Sequence, residues 1–311
     1  MGDEFARIAK YFAPLAGDAG RGLTDDAAVF LPPPGRELVL TVDQMLEEVH
    51  FLPLDPPALI ARKLLRRNLS DLAAMGAAPI GYLLTTALTA GVNEDWLADF
   101  AAGLAQDQEI FGIQLVGGDS SSSRGKISLS ATLFGHVAPG AALSRNGARP
   151  GDEIWVTGTI GDAVLGLQAR LGERADPTGF LTRRSQLPEP RIGLALAGIA
   201  HAAIDVSDGL VQDLAHLCHG AGLGAVVQAE LVPISPAAAA CGPDMLAARL
   251  TGGDDYELLL AVPPDRAKAL QEVCGDLPVT RIGVFAPGAG VAVLGEHGVP
   301  MTFARPGWQH F

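Results

Sequence analysis

Cysteine is scarce in this chain: Cys218, Cys241 and Cys274 stand alone, and no C-x-x-C pair occurs. A sparse, odd set fits reduced thiols in a cytosolic protein rather than a disulfide framework. Cys218 falls on the apolar face of an expected helix, where a core role is expected. Basic residues are also few. Lys and Arg total 22 against 35 Asp and Glu, a net charge of −13. This argues against a general nucleic-acid or anionic-membrane surface, but leaves room for a nucleotide whose charge is met by metal ions. The longest apolar run, Ile192 to Ile204, contains Gly193, Gly198 and His201. It is shorter than the roughly 20 residues that span a bilayer. The start, Met1-Gly2-Asp3-Glu4, lacks the basic and apolar regions of a signal peptide. A soluble, cytoplasmic protein without nucleic-acid or membrane partners is expected. Familiar signatures are missing too: there is no G-x-x-x-x-G-K-[ST], no H-R-D or D-F-G, no H-E-x-x-H and no G-x-S-x-G. The glycines at 220, 222 and 224 follow a helix rather than a strand, so they fail the dinucleotide-binding context.

Apolar residues make up 48 % of the 311, charged residues only 18 %, and glycine is abundant at 38. Such a chain exceeds one usual core and is rich in tight turns, so two domains are expected. Acidic motifs recur along most of it: Thr24-Asp25-Asp26-Ala27, Thr41-Val42-Asp43, Asn68-Leu69-Ser70-Asp71-Leu72, Gly117-Gly118-Asp119-Ser120, Asp205-Val206-Ser207-Asp208-Gly209 and Gly252-Gly253-Asp254-Asp255-Tyr256-Glu257. Two carboxylates about 4 Å apart repel by roughly 4 kcal/mol even at an effective dielectric near 20. Converging acids therefore call for cations, and hard oxygen ligands suit Mg²⁺, which usually arrives with phosphates. For any one of these aspartates a turn or N-cap role is the alternative; the set in order favours several ions.

The periodicity predicts helices over 4–12, 58–75, from the Asn93 cap to about 110, over 188–200, from Asp208-Gly209 to a stop at Gly220, and over 265–273. Strands are expected at 38–42 ending on Asp43, at 80–88, at 114–116 running into Gly117-Gly118-Asp119, and at 127–137, 153–157, 203–205, 256–262 and 279–284. The segment 172–187 reads as polar and irregular. The turn-rich stretch 139–149 is the expected linker between a domain over 1–138 and one over 150–311. Arg62, Lys63, Arg66 and Arg67 read as a solvated face or as salt-bridge partners.

Taken together, the motifs containing Asp26, Asn68 to Ala77, Leu115 to Asp119, Asp205 to Leu210 and Gly252 to Leu258 resemble the thiamine-monophosphate kinase family of the aminoimidazole-ribonucleotide-synthetase-like superfamily. The resemblance runs from about Phe5 to Phe311. It implies a mixed α/β (α+β) fold of two-domain, PurM-like architecture, with an N-terminal ATP- and metal-binding domain that also dimerises and a C-terminal α/β domain. It implies transfer of the γ-phosphoryl of ATP to thiamine monophosphate, assisted by several Mg²⁺ ions with K⁺ as a further cation, in a homodimer. By position it implies magnesium ligands at Asp26, Thr41, Asp43, Asp71, Asp119, Asp205 and Asp208. ATP contacts would include Gly118, Asp119, Arg145 and Ser207, and acceptor contacts His50, Glu257 and Trp308. Val42 stands where the family often has a hydroxyl residue, and the run Ser120 to Ser123 replaces a shorter Thr-rich turn.

No residue need act as general base, because a phosphate monoester has its second pKa near 6 and is already ionised at neutral pH. A direct, in-line transfer without a phosphoenzyme is expected. The backbone N–H groups of the 205–209 turn are expected to hold a phosphate. Two alternatives stay open: another ATP-dependent enzyme of the superfamily with a different acceptor, and a non-catalytic acidic metal-binding protein. No Cys precedes Cys218, which speaks against a selenophosphate synthetase.

Overall fold

The structure, a computed structural model, describes residues 4–308. These group into two compact units, one of Met1–Leu72 and Ala77–Gly140, the other of Ala73–Gly76 and Ala141–Phe311. The stretch 141–149 thus groups with the second unit.

The first unit opens with α1 (Glu4–Arg7), a π turn over Ile8–Phe12 and two 3-10 turns. The Tyr11 hydroxyl donates to the Glu94 carboxylate and ties this segment to α3. Four strands follow, with order β1-β4-β2-β3: β1 (Glu37–Leu46), β2 (Ala78–Leu88), β3 (Gln114–Ser122) and β4 (Ser128–Val137). Only β2 and β3 are parallel, and α3 (Glu94–Phe111) makes that crossover, as a parallel pair requires. The Asn93 side chain accepts from Trp96 N–H at its start, Glu94 and Asp95 lie at its positive end, and Gly112 closes it at φ +65°. In α2 (Pro57–Ala74) the stripe Ile60, Leu64, Leu65, Leu69 and Leu72 is buried throughout, each side chain contributing roughly 1.5–3 kcal/mol of burial.

β1 continues past Asp43, where the sequence pattern ends it, because Gln44, Met45 and Leu46 keep their register with β4. β3 likewise runs through Gly117-Gly118-Asp119 to Ser122. Ser120 to Ser122 are therefore strand rather than loop, and Thr86 and Ser120 share a hydrogen bond across the pair. The basic run on α2 is not a solvated face. Lys63 and Arg66 are buried, and Arg66 and Arg62 both donate to the fully buried Asp107 of α3. Arg66 also lies over the Phe111 ring.

The second unit is a six-stranded sheet of order β10-β7-β9-β5-β8-β6. Its strands are β5 (Glu153–Thr157), β6 (Ala202–Asp205), β7 (Gly224–Gln228), β8 (Leu258–Val262), β9 (Val279–Ala286) and β10 (Gly290–Leu294), and only β10 and β7 are parallel. β8 is buried at every position. Leu259 and Ala261 join one core with Leu210, Leu214, Leu217 and Cys218 of α6 (Leu210–Ala221). Leu258, Leu260 and Val262 join another with Trp155, Leu270 and Cys274. A strand covered on both faces reads as a continuous apolar run. The unit also holds α4 (Asp162–Arg170), α5 (Phe180–Gln186), α7 (Pro236–Ala239), α8 (Leu246–Thr251) and α9 (Ala267–Cys274).

Three expectations change here. The segment 172–187 contains α5. The stretch 188–200 is turns rather than helix, since Gly193 and Gly198 take φ of +92° and +75° and Pro190 has no N–H to give. α6 ends at Gly222, φ +67°, not at Gly220. Among the described residues no helix is long and apolar enough to cross a membrane.

Asp107→Ala strands two guanidinium groups, one of them buried. It is expected to cost about 3–5 kcal/mol of stability, to be read as a lowered midpoint in urea unfolding, with Asp107→Asn losing less.

Candidate functional site

In the first unit, β1 and α2 bring three of the candidate acid and hydroxyl ligands together. Alternation along β1 turns Thr41 and Asp43 to the face that α2 covers, and leaves Leu38, Leu40 and Val42 exposed on the other. The Thr41 hydroxyl donates to Asp71 Oδ2 at 2.5 Å, and Arg67 Nε lies 3.7 Å from Asp43 Oδ2. Arg67 and Asp71 are one helical turn apart, so one face of α2 presents both to β1. Asn68, fully buried beside them, donates to Leu64 O, while its Oδ1 has no hydrogen-bond partner among the described residues.

His50 sits in the loop after β1. Its Nδ1 accepts from Leu46 N–H, which leaves the proton on Nε2. The buried Lys63 donates to His50 O at 3.1 Å.

A second group lines a pocket of about 730 Å³. Asp25, Asp26, Gly118 and Asp119 lie at it, with Phe12, Leu40 and Phe134 among its apolar walls. Asp119 stands opposite Thr85 in the β2–β3 register, and both line the pocket. Gly118 is obligatory: a Cβ there would lie 1.8 Å from the Leu84 carbonyl oxygen. Arg21 pairs with Asp25 from a turn in which Arg21, Gly22 and Leu23 all take positive φ.

In the second unit β6 delivers Asp205, almost wholly buried, to the turn before α6. Gly209, at φ +125°, lets the chain enter the helix. The expectation that this turn's N–H groups hold a phosphate is overturned. Asp213 Oδ2 accepts from Ser207, Asp208 and Gly209 N–H at 3.0–3.1 Å. Burial, and then the charge of Asp205, push the Asp213 carboxyl up to about 8. The turn is thus held by an internal carboxyl group, and Ser207 has only its hydroxyl to offer a ligand.

The Gly252–Glu257 segment packs along this turn. Asp254 N–H donates to Ser207 O and Tyr256 N–H to Val206 O. Asp254 and Tyr256 take φ of +71° and +53°, a strained pair of the kind that surrounding structure must hold. Asp255 is buried and accepts from Gly161 and Ala163 N–H. Glu257, expected as an acceptor contact, presents no atom to solvent. Its carboxylate accepts from Thr157, Arg184 and Arg191, the last through two bonds. Arg145 is exposed. Trp308 is half exposed, with its N–H donating to Asp208 O.

Sequence reasoning missed Asp213, Gln212, Arg184 and Arg191. The only local signal for the first was an acid in the opening turn of a helix; the arginines are reached only through long-range packing. Among the described residues no three His, Cys, Asp or Glu side chains gather closely enough to hold a metal ion. The donors fit Mg²⁺ in the way it usually binds, through one or two carboxylates completed by substrate phosphate oxygens, and do not fit a protein-only cage.

Comparison with known proteins gives the family. The AIR synthase related protein N-terminal domain matches residues 24–137, and the corresponding C-terminal domain matches 149–296. The chain is 42 % identical over 319 aligned residues to the thiamine-monophosphate kinase of Caulobacter vibrioides, covering 99 % of this chain and 90 % of that one. It superposes on the crystal structure of thiamine-monophosphate kinase from Stenotrophomonas maltophilia with a TM-score of 0.82 at 38 % identity, over 96 % of this chain and 95 % of that one. AaThiL complexed with AMPPCP and TMP superposes with a TM-score of 0.80 at 32 % identity, over 92 % and 91 %. With both domains matched and close relatives aligned along nearly its whole length, the chain belongs to the AIR synthase related family and, within it, to the thiamine-monophosphate kinases.

Proposed function

We propose that this chain transfers the γ-phosphoryl of ATP to thiamine monophosphate, giving thiamine diphosphate and ADP, by direct in-line displacement. The observation that carries this reading is the pocket at Gly118 and Asp119, where only a glycine fits and a carboxylate stands beside open volume. One relative that superposes over most of the chain is complexed with AMPPCP and TMP.

In the first unit, Asp26, Thr41, Asp43, Asp71 and Asp119 are the proposed magnesium ligands, Gly118 and Asp119 the ATP contacts, and His50 an acceptor contact. In the second, Asp205 and Asp208 are proposed ligands, Ser207 and Arg145 ATP contacts, and Trp308 an acceptor contact. Arg145 suits phosphate oxygens because its guanidinium binds them bidentately. Trp308, half exposed, has an aromatic ring of the kind that suits a cationic thiazolium or a pyrimidine. Glu257 is assigned to the acceptor side through the arginines it holds, Arg184 and Arg191.

When bound, Mg²⁺ relieves the repulsion between two polyanions and stabilises charge in the transfer. The chain's own part is positioning. The acceptor oxygen is already ionised, so no side chain has to remove a proton.

A homodimer is proposed on the open face of the first unit's sheet. β1 is an edge strand, and Leu38, Leu40, Val42 and Leu83 are exposed on that face, the first two and Leu83 also lining the pocket at Gly118 and Asp119, so the proposed dimer face borders that pocket. An apolar edge of this kind invites pairing unless it is covered.

Purified protein given thiamine monophosphate and Mg-ATP, with K⁺ present, is expected to form thiamine diphosphate and ADP in equal amounts by chromatography. A folded, ATP-binding protein that makes no diphosphate would move the acceptor elsewhere. Asp71→Asn keeps the shape that receives the Thr41 hydroxyl. It is expected to lower kcat by about 10²-fold or more with an unchanged unfolding midpoint; wild-type turnover at saturating Mg²⁺ would remove Asp71 from the reaction. The double variant Leu40→Asp, Val42→Asp is expected to elute as a monomer in size-exclusion chromatography with light scattering, where the wild type elutes as a dimer.

A further inference from the structure

The first turn of α6 reaches back onto the motif before it with two side chains. Asp213 takes the three N–H groups of the turn; Gln212 holds a different pair. Its Nε2 donates to Asp208 Oδ2 at 3.2 Å and to the Trp308 carbonyl at 2.7 Å. A primary amide has two hydrogens, and here each meets an acceptor. The orientation is therefore determined, since the reversed amide would aim its oxygen at two other oxygens. The Trp308 N–H closes a second link, to the Asp208 backbone carbonyl at 2.9 Å. Gly307 makes this approach possible. A Cβ there would lie 2.5 Å from Gln212 Cβ and 2.7 Å from Asp208 O.

Gln212 Oε1, by contrast, is buried and has no hydrogen-bond partner among the described residues. A buried acceptor left unmet is unfavourable, and a leucine would fill much the same space without it. The amide is accounted for by what its two hydrogens hold.

We propose that Gln212 is a positioning residue that couples the cation side of the reaction to the acceptor side, resting on the assignment of Asp208 as a metal ligand and Trp308 as an acceptor contact. One carboxylate oxygen of Asp208 faces the amide, so the setting of that carboxylate fixes the amide. The amide in turn fixes the Trp308 carbonyl, and with it the indole that meets the acceptor. By linkage the effect runs both ways: an occupied acceptor site tightens the cation, and the cation tightens the acceptor, by the same factor.

Full-length protein labelled with 5-fluorotryptophan provides a test that needs no turnover. The chain has three tryptophans, and the ¹⁹F signal of Trp308 is assigned by its loss in Trp308→Phe. Mg²⁺ is titrated in the presence of a non-hydrolysable ATP analogue into wild type, Gln212→Leu and Gln212→Glu. The first variant removes both donors at similar size; the second keeps the shape and sets a charge against Asp208. Circular dichroism checks that each is folded. The wild-type Trp308 signal is expected to move with Mg²⁺, and the variants' signal to stay put. In steady state the Mg²⁺ needed for half-maximal rate and the KM for thiamine monophosphate are expected to rise together by about tenfold in Gln212→Leu, with kcat changing less. A wild-type response retained in both variants overturns the coupling, as does a wild-type Trp308 signal indifferent to Mg²⁺. A response that is present in wild type and lost in the variants, in a protein that makes no thiamine diphosphate, sinks the acceptor assignment and upholds the coupling.

Discussion

Carboxylates cannot be crowded into a fold unless something holds each one, and the way this chain meets that constraint governs the rest of its structure. Asp107, Asp213, Asp255 and Glu257 are buried, and each is engaged by donors of the protein itself: guanidinium groups, N–H groups or a hydroxyl. They join α2 to α3, close the turn before α6 and anchor the 158–163 turn. Asp26 and Asp119, by contrast, are exposed at the mouth of a pocket. The first kind stabilises the scaffold; the second stands ready for charge from outside. Removing a donor from the first leaves a buried acid group without its partner, which is more costly than losing an exposed pair.

The same division separates residues proposed to meet substrate from residues that act through others. Glu257 belongs to a motif whose spacing points to function, yet its carboxylate is enclosed by Arg184, Arg191 and Thr157. Asp213 carries no motif signal of its own, yet it closes the Asp205–Gly209 turn and occupies the N–H groups that a phosphate would otherwise want. A short acidic motif and the helix that follows it thus form one unit, and the helix supplies the restraint.

Much of the fold was legible because its causes are local. The Asn93 cap, the α2 stripe and the unbroken apolar run of β8 each state their element within a few residues. What escaped depends on distant partners. The expected strand ends at Val116, but Gly117-Gly118 continues it, and the lack of a side chain at Gly118 is explained only by the Leu84 carbonyl of β2. Gly220 offers itself as a helix stop two residues early; in the structure it makes room for Asn146, and Gly222 ends the helix. The basic run of α2 left a solvated face and salt-bridge partners both open, and the second holds, because Asp107, which receives two of its members, lies on the next helix. Of the candidate site, the acidic positions were visible as residue types in order, whereas Gln212, Arg184 and Arg191 were not, since side-chain brackets leave no periodicity.

The placement of the thiols has a practical consequence. Cys218 is enclosed in the α6 core and burial raises its pKa to about 11; Cys274 is buried in the opposite core with its pKa raised for the same reason. Little thiolate exists at either while the sheet keeps its cover, so alkylating reagents are slow to find them. One sulfur on each side of the same sheet makes a natural stopwatch: the pace at which each accepts a reagent times the opening of its own layer, and a difference between the two tells which layer peels away first.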